Sequence, residues 1–162
     1  MAERRWTVAV AVALATLASR PGAAQEVPRF PFPKSGLELA RHTQAGSFFD
    51  VVGRRAAVFG YENRPLEVWA YPLKLLDDFR LSFKVEGYPL EFEGTQIQAG
   101  IEVRPESTTF VYSNAAFTVR QTVYAPLDEP GVVMLLDVDS VLPITVSPMR
   151  RHTFTGISNY QG

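Results

Sequence analysis

Glu67, Trp69 and Tyr71 fall on one side of a two-residue alternation, with Lys74 just beyond them. Indole and phenol rings stack against the C–H faces of sugars, and neighbouring carboxylate and ammonium groups can then bind hydroxyls. The same rings are suited to burying area, either between two sheets or against a second domain. The expectation is a carbohydrate-facing or domain-facing patch at Glu67, Trp69, Tyr71 and Lys74.

Glycoside hydrolysis would need two carboxyl groups facing each other across the scissile bond, one protonated and one charged. Three close pairs offer themselves. Asp77 and Asp78 are adjacent, so in a turn they cap backbone N–H groups, and in extended chain they point to opposite faces. Asp137 and Asp139 share one side of a strand and cannot flank a sugar from opposite sides. Glu91 and Glu93 sit in turn-rich sequence and read as surface charges. His42 and His152 lie far apart in unlike contexts, and there is no HExxH, DxDxDG, GxSxG or phosphate-cradling glycine motif. No catalytic residue, metal-ligand set or cofactor is expected.

These residues sit within Tyr61 to Glu86, the stretch with the clearest periodicity. Phe79, Leu81, Phe83 and Val85 alternate with Arg80, Ser82, Lys84 and Glu86, the pattern of a strand with one buried face. Leu66, Val68 and Ala70 alternate with Glu67, Trp69 and Tyr71, so here the second face is aromatic. Pro72 ends that first strand, and Leu73 to Asp78 reads as a connection with room for one helical turn. Leu37 to His42 offers another such turn.

Upstream, Ser47–Asp50 and Ala56–Gly60 predict a hairpin around Gly53, Arg54 and Arg55. Downstream, Gly87-Tyr88-Pro89 and Glu91–Gly94 read as turns, and Ile97 to Val103, Ser107 to Tyr112 and Ala116 to Ala125 as strands. In the last of these Phe117, Val119 and Val123 point inward. Val132 to Leu136 is apolar without alternation, which predicts a strand covered on both faces, the outer one by another domain. Leu142, Ile144 and Val146 make a final alternating strand.

With 46% hydrophobic and 20% charged residues, the chain of 162 residues has the composition of one globular domain. A net charge of −1 gives no basic footprint, so nucleic acid is not an expected partner. The absence of cysteine removes disulfides and thiolate chemistry. Residues 1–24 carry Arg4 and Arg5, a short apolar run and the small residues Gly22, Ala23 and Ala24, the layout of a signal peptide cleaved after Ala24. The apolar run is too short for a membrane anchor, so the expected destination is secreted or periplasmic. Residues 25–45 are expected to form an extended linker or arm, with Pro28, Pro31 and Pro33 excluding helix and Phe30 and Phe32 available as anchors.

The run EVWAYPLKLLDDFRLSF, with RPEST and VYAPLDEPG downstream, resembles the N-terminal β-sandwich domain of bacterial six-hairpin glycosidases. These are the proteins described as amylo-α-1,6-glucosidase or glycogen-debranching-like. The resemblance spans roughly residues 46–146 and rests on phrases, without a catalytic signature. It implies an all-β, antiparallel two-sheet sandwich that is itself non-catalytic. Such a domain braces a catalytic barrel and shapes its substrate entrance, with Trp69, Tyr71 and Lys74 near an interface. A free-standing periplasmic carbohydrate-binding module and a structural sandwich without sugar affinity are the alternatives. Residues 147–162 have no acidic residue and no strand period, and read as an irregular tail. The resemblance implies further strands and a barrel beyond such a point, so a truncated product lacking its barrel is one expectation, and an ordinary flexible end the other.

Overall fold

The computed structural model describes residues 36–151. The expected signal peptide, Phe30, Phe32 and His152 lie outside them.

The chain folds as an antiparallel β-sandwich. Its strands are β1 (Leu39–His42), β2 (Phe48–Val52), β3 (Ala56–Tyr61), β4 (Leu66–Ala70), β5 (Leu73–Val85) and β6 (Glu91–Glu93). A short helix α1 (Gly94–Ile97) leads into β7 (Gln98–Val103), β8 (Ser107–Ser113), β9 (Phe117–Tyr124), β10 (Val133–Ser140) and β11 (Ile144–Arg151). One sheet runs β1-β7-β8-β9-β10; the other runs β11-β5-β4-β3-β2, with β6 also on β5. Among the described residues no helix is long and apolar enough to cross a membrane.

Alternation decides what is buried. Phe79, Leu81, Phe83 and Val85 of β5 turn inward and meet Phe110 and Tyr112 of β8 and Phe117, Val119 and Val123 of β9. The Phe83 ring centroid lies 5.2 Å from that of Tyr112 and 5.3 Å from that of Phe117. Phe49 of β2 meets Phe110 edge-on at 4.8 Å, closing the other side of the core. The turn after β5 uses Gly87 at φ 76°, a conformation that a side chain would strain. At Gly53 the constraint is space, because an added Cβ would lie 2.3 Å from the Pro126 carbonyl oxygen. The β2–β3 hairpin is thereby held against the loop after β9, where the Arg54 N–H also donates to the Leu127 carbonyl at 2.9 Å.

Tyr112 carries a polar group into this core, its hydroxyl donating to Gln121 Oε1 at 2.7 Å. Burial pushes the phenol pKa well above its usual value. Because the folded value is the raised one, this stability is whole below the unfolded pKa of about 10 and is lost as pH rises past it. Urea titrations should show stability falling above about pH 10, by at most ~1.4 kcal/mol per pH unit from this group. Tyr112→Phe should remove that component while lowering stability near neutrality by about 1–2 kcal/mol, since buried Gln121 loses its donor.

Several elements differ from expectation. Leu39–His42, placed in the linker and given a helical turn, is the strand β1 paired to β7. Leu73–Asp78, read as a connection, opens β5; register irregularities against β4 break the alternation there, and Asp78 adopts φ 54°. Glu91–Glu93 is a strand on β5 and not a turn. Residues 147–151, assigned to the tail, continue β11, where an edge position tolerates Pro148.

Val132 to Leu136 overlaps β10, which is not covered on both faces. Leu136 is exposed, and only Val132 and Met134 of this run pack against the core. The strand closes the five-stranded sheet as its edge, so its apolar residues reach the rim of the core instead of lying between layers.

Candidate functional site

On β4, Leu66 and Val68 are buried in the core, which sends Glu67 and Trp69 to the outer face of the six-stranded sheet. Antiparallel pairing sets Lys74 of β5 opposite Trp69. The Trp69 Nε1–H donates to Glu67 Oε2 at 3.1 Å, and Lys74 Nζ lies 3.0 Å from Glu67 Oε1. The ammonium also sits 5.1 Å from the indole centroid and 3.6 Å from Asp77 Oδ1. Partial burial alone would lower the Lys74 pKa; the hydrogen bonds and charges of Glu67 and Asp77 outweigh it, and the net shift is upward. The lysine therefore holds its charge and serves as a cation in this cluster.

Three of the four residues expected at the site come together: Glu67, Trp69 and Lys74. Tyr71 stands beyond the end of β4, half exposed, with its N–H donating to the Arg55 carbonyl at 2.9 Å and a cis bond to Pro72.

The same face extends across β3 and β2. Phe59 lies opposite Glu67, Asp50 opposite Phe59, and Phe48 opposite Tyr61. Phe48 stacks on Phe59 at 6.4 Å and meets Tyr61 edge-on at 5.6 Å. Phe48 is 57% and Tyr61 50% exposed, and Val52 of β2 is equally open. Phe48, Phe59 and Tyr61 are not among the site residues expected from the sequence, and Asp77, weighed there only as half of a carboxylate pair, joins the cluster through Lys74. The hairpin about Gly53 was legible, and its register would have set Phe48 beside Tyr61. The result is an aromatic outer face bordered by the Glu67–Lys74–Asp77 charges.

The other carboxylates weighed in the sequence do not join this cluster. Asp78 Oδ1 accepts from Arg80 at 3.0 Å, and Asp137 and Asp139 share the outer face of β10 opposite Arg120 and Thr118. Glu62 is fully buried just after β3, where both oxygens bind the Arg41 guanidinium of β1 and Oε2 also accepts the Gln44 N–H at 2.7 Å. This ion pair joins the two sheets along one side. His42 is exposed on β1, and among the described residues no group of three or more His, Cys, Asp or Glu could hold a metal. A concavity of about 300 Å³ lined by Val85, Tyr88, Phe92, Asn114, Ala115 and Ala116 contains no carboxylate. No two of these carboxylates face each other across a cleft.

Comparison with protein-family models, with curated proteins and with solved structures returns no match.

Proposed function

We propose that the chain is a non-catalytic sandwich domain of an exported glycoside hydrolase of the glycogen- or α-glucan-debranching kind. Its role is to brace the catalytic barrel and help shape the substrate entrance. The observation that carries this reading is the outer face of the six-stranded sheet, where Phe48, Val52 and Tyr61 are half exposed beside Phe59 and Trp69. The core closes without these rings, so folding alone gives no reason to display them, and clustered exposed aromatics are the composition of a protein contact. The resemblance of EVWAYPLKLLDDFRLSF to six-hairpin glycosidases supports a glycosidase barrel as that neighbour.

Co-purification of the tagged chain from its native host tests the reading. A glycosidase barrel should be recovered with the wild type and lost with a Phe48→Ser, Tyr61→Ser double variant that folds normally. Absence of a glycosidase, or undiminished recovery with the variant, would overturn it.

The cluster of Glu67 and Lys74 around Trp69 favours a second reading, a carbohydrate-binding module. Titration calorimetry with maltooligosaccharides should then give heat that Trp69→Ala abolishes. Unchanged binding by that variant would remove the ring from any such role.

A further inference from the structure

Along the main strand order the lateral edges are β1 and β10 in one sheet and β2 and β11 in the other, while β6, of three residues, adds only a short edge on β5. Three of them are poor templates for another strand. β1 and β2 are short, and β11 carries Pro148 and an irregular register between Met149 and Arg151. β10 differs. It pairs with β9 in unbroken register from Val133 to Ser140, contains no proline, glycine or lysine, and among the described residues no strand pairs with its other side.

Residues paired across an antiparallel ladder share a face. Met134, Leu136 and Val138 therefore lie on the core side with Val123, Gln121 and Val119, while Leu135, Asp137 and Asp139 lie outside with Thr122, Arg120 and Thr118. Although they face the core side, Leu136 remains 46% and Val138 44% exposed. The opposing sheet does not reach over them. The unfilled edge thus presents two demands at once: apolar cover on the inner side and positive charge on the outer one. Arg120 does not meet the second demand alone, since its guanidinium binds Glu102.

We propose that the free edge of β10 binds an extended segment of a partner protein by strand addition, and that apolar and basic residues alternate in that segment. The apolar residues pack over Leu136 and Val138 and complete the rim of the core; the basic ones stand beside Asp137 and Asp139. A second copy of this chain fits poorly. Two β10 edges paired about Val138 would set Asp137 of each against Asp139 of the other, with like charges opposed. This inference concerns a different surface from the aromatic face and stands or falls independently of it.

Fluorescence anisotropy on the full chain with a short labelled peptide of alternating valine and lysine tests the proposal. The peptide should bind in the micromolar range and slow hydrogen exchange at β10 amides. A scrambled peptide of the same composition, one alternating valine with glutamate, and one methylated on alternate backbone nitrogens should each bind at least about tenfold more weakly. Charge reversal at two exposed positions, Asp137→Lys with Asp139→Lys, should switch the preference to the valine-glutamate peptide. Equal binding of the scrambled or methylated peptide, protection away from β10, no binding at millimolar peptide, or an unchanged charge preference would each overturn the proposal. So would self-association of the chain through β10.

Discussion

Phe83→Ala is expected to lower stability by about 3–5 kcal/mol, a large part of what a domain of this size possesses. The ring is fully buried and touches two strands of the opposite sheet, through Tyr112 on β8 and Phe117 on β9. Its truncation removes apolar contact from both sheets and leaves a void that strands pinned by their ladders cannot collapse to fill. Urea unfolding followed by tryptophan fluorescence measures the loss. Tyr88→Ala, at an exposed turn position, serves as the comparison and should change stability by about 0.5 kcal/mol or less. Similar midpoints for the two variants would mean that the core is not centred where the sheets meet at Phe83.

Glu62→Ala should cost about 3 kcal/mol, for a different reason. Glu62 is 1% exposed, and its two oxygens satisfy the Arg41 guanidinium and the Gln44 N–H. Removing the carboxylate leaves a part-buried cation without its counter-charge and a backbone donor without its acceptor. It also cuts the charged link between β1 and the segment after β3, so hydrogen exchange in β1 should accelerate more than exchange in β9. A surface ion pair would be weakened by salt, whereas most of this loss should persist at about 1 M salt because the Glu62 carboxylate is buried. A loss that vanishes at high salt would contradict the structural role given to the pair.

That ion pair also explains what the sequence concealed. β1 showed no apolar period because Arg41 occupies an inward position, opposite Ile101, and only distant Glu62 makes that tolerable. By contrast β9 and the second half of β5 were legible from their uninterrupted alternation, with Ser82 the exception, a residue of the polar side that is nonetheless buried. The first half of β5 was misread because its bulges put extra residues against β4 and erased the period. β10 misled for the opposite reason. Its continuous apolar run matches a strand between two layers, and its place at the sheet edge depends on pairings that local pattern does not encode. At the candidate site, Glu67, Trp69 and Lys74 could be grouped from spacing within one hairpin. Phe48 and Phe59 join them only through cross-strand register over β2, β3 and β4, a relation between distant residues.

Our proposal places a glycosidase barrel over the aromatic outer face of the six-stranded sheet when the protein works. A photoreactive benzoylphenylalanine placed at position 48 and activated in the native host reads that contact directly. Crosslinks to a glycoside hydrolase barrel are expected, suppressed by Tyr61→Ser on the same face. Crosslinks to no protein, or to proteins unrelated to glycoside hydrolysis, would contradict it.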